Sequence, residues 1–175
     1  MSHASGSIVE RFTSALADLD VPVTRTTPTD CAATIAGIVA EPVVGVELPF
    51  EGVTLPGVVD TDPSPSSLEA ARTGVTPASF GIADYGSVAL TATPDGSEPV
   101  SLFVDRHVAV LRRRDLLPDM PTAFERLGPA LRAGDSVVLA TGPSATADMG
   151  ELVRGAHGPK EVHVVLVDDE GATDE

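Results

Sequence analysis

Two short runs of mostly β-branched and other apolar residues, Ser136 to Ala140 and Val162 to Val167, constrain this chain more than any other feature. Both are of strand length, and neither shows the polar alternation of a strand with one wet face. That is the pattern of strands buried on both sides in a parallel sheet. Parallel neighbours need crossover connections, usually helical, so the expected fold class is α/β, with a mostly parallel sheet and helices on both faces. The two runs are expected to be parallel neighbours or near neighbours at its centre.

The rest of the chain supplies the helices. Ser7 and Glu10 have capping-box spacing, and Ile8, Val9, Phe12, Leu16 and Leu19 recur at helical intervals, which predicts an amphipathic helix ending near Asp20. Val21 to Arg25 reads as a strand, Thr29 can cap a helix through Cys31, Ile35 and Val39, and Val43 to Leu48 reads as a second strand. The stretch Pro56 to Ser67 carries three prolines and reads as a loop, a border between an N-terminal part (1–60) and a core (75–168). Ser66 or Ser67 can open a short helix over Leu68 to Arg72. Val88 to Thr93, Val100 to Val104 and His107 to Leu111 read as strands. Asp115 to Ala133 reads as a helix that Pro129 kinks or ends. Together these make a single domain over 1–175, with 169–175 as a frayed acidic tail.

Charge and composition narrow the function. With 26 acidic against 11 basic residues the net charge is −15, which repels phosphate backbones and argues against nucleic-acid binding. The excess of acid and the single lysine, Lys160, point to a halophilic cytoplasm. No apolar run approaches the ~18 residues of a membrane span, and the first residues lack the pattern of a secretory signal, so a cytoplasmic location is expected. Cys31 is the only cysteine, which excludes a four-thiolate iron–sulfur cluster on this chain. His3, His107, His157 and His163 follow no zinc-motif spacing, so neither a metal nor a cofactor is expected.

The segment Thr141 to Val167 carries the most chemistry. A strand runs into Gly142, Pro143, Ser144, Ala145, Thr146, Ala147 and Asp148, with a helix expected to follow. In open α/β sheets such a loop binds ligands beyond strand ends, where helix amides attract anions. Gly142, Ser144, Thr146 and Asp148 are therefore candidate ligands of a small carboxylate or phosphate, and capping of the helix explains the same residues. Lys160 is a candidate anion anchor. His157, flanked by Gly155 and Gly158, suits general acid–base work or stiffening of its loop, whereas His163, inside a strand, suits a core role. An earlier segment, Ile82 to Leu90, contributes Asp84, Gly86 and Ser87; Asp84 could bind a hydroxyl, orient His157 or hold an Asx turn. Catalytic candidates are thus His157, Asp148 and Asp84. Arg112, Arg113 and Arg114, with Arg106 nearby, form either a salt-bridged strand end or a docking surface for an acidic partner or a phosphate.

The sequence GPSATAD followed by LVRGAHGP and EVHVVLV resembles the LUD-domain family of lactate-utilisation C proteins, and IADYGSVAL resembles that family's earlier segment. Gly150 stands where the family usually has a Glu, leaving Glu151 as the substitute, and Tyr85 stands where a small hydroxyl residue is usual. The resemblance implies a fold similar to the sugar-phosphate isomerase and CoA-transferase group. It also implies a place in lactate oxidation to pyruvate alongside partner chains that carry iron–sulfur clusters. The leading expectation is a non-redox accessory subunit that binds a small anion or a partner at the GPSATAD loop. The alternative is an independent isomerase- or CoA-transferase-like enzyme acting on a sugar phosphate or CoA ester.

Overall fold

A computed structural model describes residues 6–148, 151–155 and 157–168; the expected acidic tail (169–175), His3 and Gly150 lie outside the described residues. The chain opens with helix α1 (Ile8–Asp18), whose capping box forms as the spacing predicts: the Ser7 hydroxyl accepts from the Glu10 amide and the Glu10 carboxylate accepts from the Ser7 amide. Strand β1 (Val23–Thr26), helix α2 (Cys31–Ile38), strands β2 (Val43–Gly45) and β3 (Val59–Asp60), helix α3 (Pro65–Ala70) and strand β4 (Thr73–Pro77) follow. Next come β5 (Phe80–Ile82), β6 (Ser87–Thr91), α4 (Ser97–Leu102), β7 (Arg106–Arg112), β8 (Leu116–Leu117) and α5 (Met120–Ala133). The chain then runs through β9 (Val137–Ala140), β10 (Ala145–Asp148), β11 (Glu151–Arg154) and β12 (Glu161–Val167).

The main sheet has six strands, all parallel, in the order β1-β12-β7-β4-β2-β3. Two adjacent interior strands, β7 and β12, show why a strand of this sheet reads as apolar throughout. On β7, Val108 and Val110 pack in one cluster with Cys31 and Ile35 of α2, while Ala109 and Leu111 pack in another with Phe12 and Leu16 of α1. On β12, Val165 and Val167 face α2, and Val164 and Leu166 face α1. Helices therefore cover both faces, and each fully buried valine or leucine contributes roughly 1.5–3 kcal/mol of burial energy. The alternation persists, but both of its faces are dry.

A second sheet, β8-β5-β6-β9, lies beyond α1. Ala83, Val88 and Leu90 join the α1 cluster, whereas Phe80, Ile82 and Ala89 pack against Ala123 and Leu127 of α5. The layers from one side to the other are α2, the parallel sheet, α1 with the second sheet, and α5.

Several expectations are corrected. The run Ser136 to Ala140 is not a neighbour of Val162 to Val167: β9 is the outer strand of the second sheet, antiparallel to β6, with Leu139 exposed. A continuous apolar run specifies a strand but not its sheet. Val100 to Val104 is not a strand. Ser97 to Leu102 is helical because Val100 and Val104, one turn apart, pack on Val44, Val46 and Ala71, and that contact outweighs their β propensity. Helix α5 begins at Met120, capped by Asp119, and runs through Pro129 to Gly134, whose φ of 93° ends it. Burial of Ala123 and Leu127 holds the helix despite the lost amide. The residue at the head of α2 is Asp30, not Thr29. The Pro56 to Ser67 stretch contains β3 and the start of α3, capped by Ser64, so the sheet continues across that expected border. Among the described residues, no helix is long and apolar enough to cross a membrane.

Candidate functional site

The expected helix after the GPSATAD loop is replaced by a hairpin. β10 and β11 pair antiparallel, Ala145 opposite Arg154 and Thr146 opposite Val153, and form a two-stranded sheet of their own. Its base is closed by Ser144, whose amide donates to the Pro159 carbonyl (2.9 Å), whose carbonyl accepts from Gly155 (2.9 Å), and whose hydroxyl accepts from the His157 amide (3.4 Å). Those bonds bring the two ends of the segment together, so it folds back on itself instead of continuing as a helix. Among the described residues of this segment, no helix offers its amides to an anion.

Two clefts meet at Lys160, at the amino ends of β12 and β7. One, of about 440 Å³, is lined by Asp20, Arg106, Pro143, Lys160, Glu161 and His163 among others. The other, of about 460 Å³, is lined by Phe103, Asp105, Gly155, His157, Gly158 and Lys160 among others. The chain reaches this place for local reasons: the amides of Lys160 and Glu161 both donate to the Asp105 carbonyl, which sets β12 beside β7. The Lys160 ammonium lies 2.7 Å from Asp105, and both side chains are more than half exposed. Its hydrogen bond and charge hold the Asp105 carboxyl below the usual carboxylate range. Arg106 pairs with Glu161 at 2.6 Å and donates to the Ile38 carbonyl. Each cation thus carries a carboxylate of its own, so the clefts present paired charges and not a positive field.

His163 is half-buried, its Nε2 2.9 Å from the Thr24 hydroxyl. Burial, with the nearby Arg106 charge second, lowers its pKa, so the ring is neutral at neutral pH. This is the packed, hydrogen-bonded setting expected of a strand histidine. His157 is exposed beside Lys160.

The residues of the earlier motif lie elsewhere. Asp84 is ion-paired with Arg11, which also donates to the Pro118 carbonyl, so it fastens α1 to the β5–β6 turn and does not orient His157. Gly86 (φ 61°) faces the backbone of Ala15 and Leu16, where a Cβ would sit at 3.0 Å; Gly142 (φ 73°) faces Leu19 farther along α1. Ser87 is buried and bonded to Thr141. None of Asp84, Gly86, Ser87 and Gly142 lines either cleft. The side chains of Thr146, Asp148 and Glu151 lie outside the described residues. Arg112 pairs with Asp115, and Arg113 lies 3.9 Å from Asp168, as a salt-bridged strand end would. Phe103 and Asp105 escaped the sequence reading. Phe103 is 72% exposed, in a chain with only 3% aromatic residues, and that scarcity was the one available signal. Among the described residues, no group of three or more His, Cys, Asp or Glu side chains could hold a metal ion.

Residues 66–167 match the LUD domain. The chain is 30% identical over 127 residues to lactate utilization protein C of Deinococcus radiodurans, covering 70% of this chain and 59% of that protein. It is 30% identical over 110 residues to the uncharacterized protein YkgG of Escherichia coli (59% and 47%), and 31% identical over 106 residues to lactate utilization protein C of Bacillus subtilis (58% and 44%). The matched stretch therefore spans about half the length of these curated relatives. The crystal structure of a DUF162 family protein from Deinococcus radiodurans superposes with a TM-score of 0.73 at 20% identity, covering 95% of this chain and 99% of that one.

Proposed function

The chain belongs to the LUD domain family, and from that premise we propose that it is a non-redox accessory subunit of lactate utilisation that docks a partner chain on the face around Lys160. The observation that carries the reading is the juxtaposition of an exposed phenyl ring, Phe103, with the Lys160–Asp105 pair and His157 along one cleft, beside the two-stranded β10–β11 sheet. An exposed aromatic ring with charges at its rim can anchor a protein interface: the ring supplies apolar area and the rim charges fix orientation. A partner's carboxylate can take Asp105's place on Lys160 at little cost, because that ion pair is exposed. The relatives named for lactate utilisation supply the process. The lone, buried Cys31, whose thiol burial raises to about 11, suits a member that leaves electron transfer to iron–sulfur partners.

The test is purification of the tagged full chain from its own cells, with iron and acid-labile sulfide measured on what accompanies it. A cluster-bearing partner that is retained by the native chain and lost with Phe103→Ser or Lys160→Glu is expected. Lactate-dependent dye reduction by the pure chain alone would overturn the accessory role.

A further inference from the structure

Strand β9 is the outermost strand of the second sheet, and among the described residues no strand adds to it beyond β6. The ladder fixes which of its backbone groups face that open edge. Antiparallel partners alternate between pairs that exchange both backbone bonds and pairs that exchange none. The Ala92 amide donates to the Ser136 carbonyl at 3.0 Å, and Leu90 stands opposite Val138 in the same register, so Ser136, Val138 and Ala140 bond inward to β6. The amides and carbonyls of Val137 and Leu139 therefore point outward. Charged side chains, prolines and bulges are the usual guards of such an edge, and the run Val137 to Ala140 has none of them.

Helix α5 extends the apolar surface beside this edge. Side chains alternate along β9: Val138 and Ala140 pack against the α1 cluster, whereas Val137 packs with Ala123 and Leu127 of α5. Leu139 therefore shares the α5 face, and it is exposed there. On α5 itself Arg126 marks the flank toward β5 and β8, donating to the Ser79 carbonyl just before β5 and to Asp115 just before β8. Phe124 and Leu131, about two turns apart, fall on the opposite flank, toward β9. They are 58% and 48% exposed. Charge sets this region apart: over residues 120–141 Glu125 and Asp135 are balanced by Arg126 and Arg132, in a chain whose net charge is −15.

We propose that the β9 edge and the Phe124–Leu131 flank of α5 bind a second copy of this chain, joining the two smaller sheets into one antiparallel sheet across a two-fold axis. An antiparallel edge can pair with itself. With the axis at Val138, Val137 stands opposite the partner's Leu139 and Leu139 opposite the partner's Val137, and both pairs exchange their outward bonds. Paired residues share a face, so the two α5 helices lie on the same side of the joined sheet with their Phe124 and Leu131 flanks turned toward each other. Specific interfaces bury about 1,600 Å² in total, more than a strand of this length supplies, which is why the flank of α5 belongs to the contact. Charge argues for a second copy over a foreign chain. Two chains of net charge −15 repel, so they approach closely where that charge is locally cancelled, whereas a partner drawn by charge would choose acidic surface. The surface shares no residue with the clefts at Lys160.

Sedimentation equilibrium of the full chain over a range of concentrations tests this. A concentration-dependent dimer is expected, tightened by salt as the like charges are screened. Leu139→Lys should raise its dissociation constant about tenfold or more, and so should Phe124→Glu on the helix flank, with the unfolding midpoint of each showing that the fold is kept. Phe103→Ser, on the face around Lys160, should leave the dimer unchanged. Val138→Cys treated with oxidised glutathione should form a disulfide between two copies, a gained signal that reads the register and does not depend on a lost interaction; Cys31 is buried and does not compete. A native chain that stays monomeric, a dimer lost with Phe103→Ser, or one that keeps its affinity in both Leu139→Lys and Phe124→Glu would overturn the assignment. So would a dimer that fails to cross-link through Val138→Cys, or a different protein that co-purifies with the native chain and not with Leu139→Lys.

Discussion

The Ser87 hydroxyl lies 2.6 Å from that of Thr141, a hydrogen bond between residues 54 positions apart. It joins the start of β6 to the end of β9 and so ties the IADYGSVAL segment to the GPSATAD segment at the second sheet. Two motifs that look chemical in sequence are first of all a joint between strands.

Because Ser87 is buried, Ser87→Ala leaves the Thr141 oxygen without its partner, and Thr141→Val does the converse. Each is expected to cost about 1 kcal/mol, with the double variant costing clearly less than their sum. Urea unfolding of the four proteins measures this. Strictly additive losses would show that the hydroxyls do not act as a pair.

The two motif glycines differ in a measurable way. Both have positive φ, so alanine at either is strained by roughly 1 kcal/mol. At Gly86 the new Cβ would also sit 3.0 Å from the backbone of α1, whereas at Gly142 its nearest neighbour is the Leu19 Cβ at an ordinary 3.5 Å. Gly86→Ala should therefore destabilise by about 2 kcal/mol or more and Gly142→Ala by about half that. Thermal unfolding that ranks them in the opposite order would contradict the packing of α1 on the turn.

His107 predicts a pH dependence. It is 1% exposed on β7 with Nε2 2.8 Å from the Thr76 hydroxyl, and burial lowers its pKa to about 4 from an ordinary 6.5. The unfolded chain binds its proton first, so this stabilisation is complete above about pH 6.5 and is lost as pH falls toward 4. The full effect is on the order of 3 kcal/mol. Equilibrium unfolding between pH 4.5 and 7.5 should show a shallower loss for His107→Gln, which stays neutral and keeps a partner for Thr76, than for the native chain. Parallel pH profiles would place the titration elsewhere.

The elements legible in sequence were those whose local pattern and tertiary role agree. α1 carries its cap and its apolar stripe together, and β12 is buried on both faces as its composition demands. β9 was misassigned because an apolar run carries no mark of the sheet it joins, and α4 because the partners of Val100 and Val104 lie on β2 and around Ala71, far away in the chain. Around the Lys160 clefts, Lys160 and His157 stood out in sequence by rarity and by glycine flanks, and the two line the same cleft. Phe103 and Asp105 were missed because neither belongs to a motif. The arginine run was noticed, but its position at a strand end beside Thr29 and Glu51 depends on sheet order, which no local pattern encodes.

Lys160 separates stability from function. Its partner Asp105 is as exposed as it is, and water screens the pair, so Lys160→Gln and Asp105→Asn should each change unfolding stability by less than about 1 kcal/mol. A residue that is cheap to replace yet is the chain's only lysine, in a composition that otherwise uses arginine, is better explained by what it meets than by what it supports. If the Phe103 face docks a partner, Lys160→Gln should weaken co-purification while leaving the unfolding midpoint in place. Asp105→Asn should preserve or strengthen docking, since it frees the ammonium without removing it. Partner retention can be measured by quantitative pull-down beside urea unfolding of the same three proteins. A loss of stability well above 1 kcal/mol for Lys160→Gln would mark the pair as structural, and equal loss of docking with both variants would mean that the pair, and not the ammonium, is what the partner reads.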